Sequence, residues 1–288
     1  MPFDSLLVFS HLRWNFVYQR PQHLISRLAR RRRVFFIEEP IHDPPAAPHW
    51  EYETPQENLT ICRPHSPEAE PGFHAAQLPV LRRLMKELIE EEKLEDYAAW
   101  FYTPMAVPLL NDLQPGATIY DCMDELSAFR FAPPELLEHE ASLLRQADLV
   151  FTGGPSLYRH KKDRHPSVHC FPSSVDLAHF GKARNIAEPA DQAGVPRPRF
   201  GFFGVIDERL DVPLLDRLAQ EHPEWQIVLV GPVVKIDPSI LPRHQNIHYF
   251  GQRDYAQLPA YLSGWDVCLL PFARNESTRF RSACTADS

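Results

Sequence analysis

The chain has 288 residues, room for one large domain or two ordinary ones, and its 44% hydrophobic content is enough for a sizeable core. Its net charge of -8 argues against general affinity for nucleic acid, which calls for a basic face. Five scattered cysteines without C-x-x-C spacing give neither a zinc site nor a disulfide framework. With no apolar run long enough to span a bilayer and no signal-like N-terminus, they point to the cytoplasm.

Short apolar runs alternate with helical patterns. Residues 6–9 read as the first strand, 21–31 as a helix with Leu24, Ile25 and Leu28 on one face, and 34–37 as the next strand. Unbroken apolar strands of this kind suit a parallel sheet covered on both faces. Residues 40–57, with five prolines, read as loop, and 59–62 as a strand. An amphipathic helix over 78–94 ends in Glu90–Glu92, a solvated face. Residues 98–102, 118–120, 149–152 and 168–171 read as strands, with a helix from about Pro133 before the third. The proline-rich, polar stretch 181–197 is the expected linker. The alternation then resumes: strand 199–204, helix 212–221, strand 226–230, strand 247–250, helix 255–262 and strand 267–270. The expectation is an N-terminal Rossmann-like domain over 1–180 and a C-terminal one over 198–288. Open α/β sheets bind ligands beyond the carboxyl ends of their strands, so residues there are the candidates.

In the second half these strand-end residues read Phe203-Gly204 through Arg209 and Asp211, then Val230-Gly231-Pro232, Asn246 through Gly251, and Asp266 through Pro271. In that order they resemble the donor-binding half of the group 1 glycosyltransferases, retaining enzymes of the GT-B type. The stretch Phe171-Pro172-Ser173-Ser174-Val175-Asp176, with Phe180, resembles that family's crossover segment but carries serines where Asn and Gly are usual. Trp14, Arg20 through Leu24, Glu38-Glu39-Pro40 and Asp121 through Phe129 resemble a subgroup working on bacterial cell-surface polysaccharides.

The resemblance implies an α/β GT-B fold, with two doubly wound domains facing across a cleft. It implies a transferase moving a sugar from a UDP- or GDP-type donor to a glycan or lipid-linked acceptor, with no cofactor and no metal. After Phe280 the sequence departs from the family's continuation, so the second domain is expected to be truncated. An inactive or binding-only remnant and a GT-B sugar-nucleotide epimerase are the alternative readings.

A leaving diphosphate needs a cation and backbone N–H groups, which a helix start supplies. Arg209 is the candidate cation, with an ion pair to acidic neighbours as the competing reading, and Gly204 would let the backbone approach. Asp211 is a sugar contact or, more simply, an N-cap. Gly231 and Pro232 form a turn at the same edge. Asn275, Glu276 and Thr278 are placed near the donor sugar by the resemblance. In the first domain His23 is a candidate acid/base at a helix start, and Asp121 and Asp124 are candidate catalytic carboxylates. Arg20, Glu38 and Glu39 are candidate acceptor ligands, with loop capping as the rival role for the carboxylates. The run Arg30–Arg33 with Arg27 complements a helix C-terminus. Its second reading is peripheral contact with the anionic inner face of a membrane. His160, His165 and His169 have basic neighbours that repel a cation, so no metal site is expected there.

Overall fold

The computed structural model describes residues 3–276 and 278–280. They form two compact units, with the chain passing from the first to the second at Ser173/Ser174.

The first unit contains β1 (Ser5–Phe9), α1 (Arg20–Leu28), β2 (Arg33–Ile37), β3 (Ile41–His42), β4 (His49–Gln56) and β5 (Leu59–Ser66). It continues with α2 (Leu78–Glu91), β6 (Tyr97–Phe101), β7 (Ala117–Cys122), α3 (Leu136–Gln146), β8 (Leu149–Thr152), α4 (Pro155–Lys161) and β9 (Val168–Cys170). The sheet runs β3-β5-β2-β1-β6-β7-β8-β9, with β4 added antiparallel to β5. From β1 the chain steps to β2 on one side and later resumes with β6 on the other, so the topological switch lies between β1 and β6. Successive side chains of a strand face opposite sides, and both sides are filled. Leu7, Phe9, Phe35 and Ile37 pack with α2, whereas Leu6, Val8, Val34 and Phe36 pack with Ile25 of α1.

Residues 40–57 are not the loop their prolines suggested, because they include β3 and the long strand β4. β4 is an edge strand with alternating exposure, and Pro55 sits at its irregularity between Glu53 and Gln56, where no ladder N–H is needed. The helix expected from Pro133 begins only at Leu136.

The second unit contains α5 (Leu177–Phe180), α6 (Ala190–Ala193), β10 (Arg199–Phe203), α7 (Val212–Glu221), β11 (Gln226–Val230), β12 (Ile247–Gly251), α8 (Leu258–Ser263) and β13 (Val267–Cys268). Its sheet is parallel, in the order β12-β11-β10-β13, with the switch between β10 and β13.

Residues 181–197, expected as a linker, are instead built into this unit. Gln192 of α6 is fully buried, donates to the Tyr261 carbonyl at 2.9 Å and accepts from the Trp265 indole at 2.8 Å. The Arg199 guanidinium, also buried, pairs with Glu188 and donates to the Val195 and Gly264 carbonyls. A proline-rich polar stretch thus gains a fixed place through side-chain hydrogen bonds to β10 and α8, so the unit boundary moves back to 173/174.

Candidate functional site

In the first unit the candidate residues collect at the carboxyl edge of the sheet, where Arg20 and Asp121 pair with each other. Arg20 begins α1, and its guanidinium reaches Asp121 near the end of β7, with Nε 3.1 Å from both carboxylate oxygens and Nη2 2.9 Å from Oδ1. Nη1 donates to the Phe171 carbonyl at 2.7 Å. Asp121 is fully buried, so this bidentate pair neutralises it. Arg20 therefore ties α1 to β7 and to the segment after β9. The buried Tyr102 hydroxyl, just past β6, lies at the same edge; burial and then the Asp121 charge hold its pKa well above the ordinary phenol value.

Glu38, fully buried after β2, accepts from the Trp14 amide at 2.6 Å, from Arg13 Nη1 at 3.1 Å and from Arg63 Nε at 3.1 Å. It anchors the loop after β1. Gln22 fastens the same loop by donating to the Trp14 carbonyl at 2.9 Å. A carboxylate with two guanidiniums and an amide already aimed at it is a positioning group. Glu39 is half-buried, and its carbonyl accepts from Arg13 at 2.6 Å.

His23 is half-buried on α1, edge-on to Tyr18 with ring centroids 4.7 Å apart, and Arg27 Nη1 lies 3.4 Å from its Nδ1. Asp124 is half-buried in the loop after β7.

Beneath that loop lies a charged cluster that sequence reasoning missed. Lys161, at the end of α4, is fully buried, with Nζ 2.7 Å from Glu125 and 2.6 Å from Glu140. Arg164 and the Tyr120 hydroxyl each reach Glu140 at 2.9 Å, and Ser127 donates to Glu125 at 2.8 Å. Burial works to raise the Glu140 carboxyl, but Lys161, Arg164 and Tyr120 together hold it below its ordinary value. Burial works to lower the Lys161 ammonium, but Cys122, Glu140 and Glu125 outweigh it and raise it. A lysine among basic neighbours gives no signal of this in the sequence, because its partners lie more than twenty positions away.

In the second unit the candidates gather at the switch between β10 and β13. Gly204 and Gly231 end adjacent strands, both with φ of +152°, and a Cβ on Gly231 would stand 1.8 Å from the Gly204 carbonyl oxygen. That close approach requires glycine at 231. The two strand ends stay joined: Gly204 N–H donates to Val230 at 2.9 Å and Ile206 N–H to Pro232 at 2.9 Å.

Arg209 does not pair with Glu208 or Asp211. Its Nε and Nη2 grip Asp207, which is buried, at 2.8 and 2.5 Å. Asp211 is the N-cap of α7, accepting from the Leu214 amide at 3.0 Å. The start of α7 offers few amides to an anion: Val212 N–H is bonded to Leu210, residue 213 is proline, and Leu214 and Leu215 are bonded to Asp211. The α7 amides expected to meet a diphosphate are thus already bonded within the protein.

The segment after β13 crosses this loop. Ala273 N–H donates to the Arg209 carbonyl at 2.9 Å, Asp211 N–H to Pro271 at 2.8 Å, and the Asn275 amide to the Glu208 carbonyl at 3.1 Å. Thr278 closes the turn by donating to the Ala273 carbonyl at 2.5 Å, and Glu276 is exposed beside Arg279 at 3.5 Å. The structure therefore brings Gly204, Arg209, Asp211, Gly231, Pro232, Asn275, Glu276 and Thr278 to one edge. It adds Asp207 and Glu208, whose two carboxylate oxygens are shielded from solvent and lack a hydrogen bond among the described residues.

No protein-family model matches the chain. A Bacillus subtilis protein, TuaH, assigned as a teichuronic acid biosynthesis glycosyltransferase, is 24% identical over 212 residues, 68% of this chain and 53% of the relative. The chain thus spans about half the length of that curated relative. Among solved structures, sucrose-phosphate synthase from Thermosynechococcus elongatus aligns with a TM-score of 0.67 at 15% identity, over 94% of this chain and 77% of its own. HepE of Anabaena, in complex with UDP-glucose, aligns with a TM-score of 0.58 at 12% identity, over 92% and 72%. The two sheets, each with its switch point, and these likenesses show that the chain has the GT-B fold, and its sequence is similar to that of a glycosyltransferase.

Proposed function

We propose that the chain acts as a glycosyltransferase, moving a sugar from a nucleoside-diphosphate donor to a glycan or lipid-linked acceptor. The observation that carries this reading is the gathering of the loop after β10 and the segment after β13 at the switch point of the second sheet, where open α/β sheets bind ligands. The names of the similar proteins supply the chemistry: one is assigned to teichuronic acid biosynthesis, and another was solved with UDP-glucose.

In this reading Arg209 meets the diphosphate, which competes with Asp207 for the guanidinium. The strand-end glycines let the nucleotide approach the backbone, and Asn275, Glu276 and Thr278 face the donor sugar. The first unit receives the acceptor near His23 and Asp124. Arg20, Asp121, Glu38 and Glu39 shape that edge, the first three through contacts already made within the protein. Arg27 and the run Arg30–Arg33 are the surface through which the protein meets an anionic membrane carrying a lipid-linked acceptor. Among the described residues no helix is long and apolar enough to cross one.

A binding-only role has one observation in its favour, the prior engagement of Arg209 and of the α7 amides. Incubation with UDP- and GDP-sugars, followed by NMR of the sugar and assay of free nucleotide, separates the readings. Slow release of nucleotide with the free sugar supports a transferase. Epimerised sugar nucleotide supports an epimerase, and unchanged donor despite nucleotide binding supports the binding-only role.

A further inference from the structure

On the outer edge of the first unit, far in sequence from the candidates above, three strands bring two histidines and a carboxylate together. His49 and His65 are directly opposed in the antiparallel β4–β5 pair. The Asp43 amide, just past β3, donates to the Ser66 carbonyl at 2.8 Å, which sets Asp43 beside them. One ligand atom from each of Asp43, His49 and His65 lies within 4.8 Å of the others.

The hydrogen bonds on the far sides of the rings decide what the near sides offer. His49 Nδ1 lies 3.0 Å from the Ala47 carbonyl, which only accepts, so that nitrogen carries the proton and Nε2 keeps a lone pair. His65 Nε2 lies 3.1 Å from Glu51 Oε2, and Arg63 fixes Glu51 through a 2.8 Å contact. With its proton on Nε2, His65 points the Nδ1 lone pair at Asp43 Oδ2, 3.1 Å away. Two acceptors face each other there, and a metal ion within reach of both would be held by both. Two ligands of a tetrahedral ion with bonds of about 2.0–2.1 Å stand about 3.3 Å apart, close to the spacing seen. A metal-bound histidine typically hands its other N–H to a carboxylate or a carbonyl, and both histidines here do so. The His49 ring stacks on that of His65, with centroids 4.5 Å apart and planes at 21°, and being exposed it can swing off that stack to bring Nε2 to the ion.

We propose that Asp43, His49 and His65 bind one divalent transition-metal ion of the zinc class, with Glu51 orienting His65 and a fourth position left for water. The nitrogen and oxygen ligand set suits Zn2+ or Co2+. The ion fastens the segment 43–49, with Pro44, Pro45 and Pro48, onto β5. Sequence reasoning saw no such site because only the pairing of β3, β4 and β5 assembles it.

The test is titration of the chelator-treated protein with Zn2+ by calorimetry and with Co2+ by absorption. The expected result is a single site, with cobalt d–d bands and no thiolate charge-transfer band. His49→Ala and Asp43→Asn should each weaken binding tenfold or more, and Glu51→Gln tenfold to a hundredfold. His222→Ala, in the second unit, should leave binding unchanged. His49 is exposed, so its variant is expected to fold, and circular dichroism checks this. No saturable binding below millimolar metal would overturn the proposal. So would binding that survives His49→Ala with Asp43→Asn, or a cobalt spectrum dominated by thiolate.

Discussion

Replacing Lys161 by Met tests whether the cluster beneath the loop after β7 is held by charge. The ammonium is fully buried, 2.7 Å from Glu125 and 2.6 Å from Glu140, and those carboxylates are themselves 7% and 2% exposed. Methionine matches its length and removes the charge, leaving two buried carboxylates to Arg164 and His160, whose side chains are 36% and 46% exposed. Breaking a buried pair by removing one partner costs about 3–5 kcal/mol, because the remaining charge is uncompensated. The pH dependence adds a second signature. In the parent protein Glu140 is held below 4.5, so its contribution is present above that value and is lost as pH falls through the folded pKa. Lys161 is held above 10.5, so its contribution is present below that value and is lost as pH rises through the folded pKa. The parent cluster is therefore level across neutral pH. In Lys161→Met the carboxylates can relieve their burial by taking up a proton, so the destabilisation should shrink on acidification from pH 7.5 to pH 5. With two units, a single unfolding curve is not two-state, so hydrogen exchange of peptides from β7 and α3 is the assay. A cost under about 1 kcal/mol, the size of an exposed pair, or a cost that grows on acidification, would refute the reasoning.

Three further outcomes follow from the geometry. Gly231→Ala puts a Cβ 1.8 Å from a carbonyl oxygen at φ +152°, so the second unit should lose about 3 kcal/mol or more, read as lost exchange protection in β10 and β11. Unchanged protection would show that the strand ends can separate freely. Asp211→Ala removes only an N-cap in this structure, so it should cost about 1 kcal/mol and leave nucleotide affinity unchanged. A large loss of affinity would return Asp211 to the donor site. His23→Ala should lower sugar transfer roughly 100-fold or more without altering nucleotide binding, as for an acid/base in the first unit. Retained turnover would assign that role elsewhere, with Asp124 next to be tested.

The sheet cores were legible because parallel strands buried on both faces are unbroken apolar runs, as in Leu6–Phe9 and Ile227–Val230. The edge strand β4 was not, since it is half-exposed and carries Pro55, which its edge position tolerates. The segment 181–197 read as a linker because what fixes it is polar, in Gln192, Asp191 and Arg199, and leaves no apolar periodicity. Strand-end positions were readable because apolar strand runs end visibly, and Gly204, Gly231 and Asp121 lie at the ends of β10, β11 and β7. Side-chain partners were not. The engagement of Arg20 by Asp121, 101 positions apart, exists only once the strands are ordered. The grip of Asp207 on Arg209 is local, but flanking Glu208 and Asp211 offered equal charge in the sequence, and only the backbone turn selects among them.

A nucleoside-diphosphate site at the β10–β13 switch is tested most directly by calorimetric titration of UDP and GDP into the chain without metal, repeated with Arg209→Ala. Saturable binding of one nucleotide is expected, weakened roughly 10- to 100-fold by the substitution, as for loss of a charge-assisted hydrogen bond. No binding of either nucleotide at millimolar concentration by the folded protein, or binding indifferent to Arg209, would contradict it.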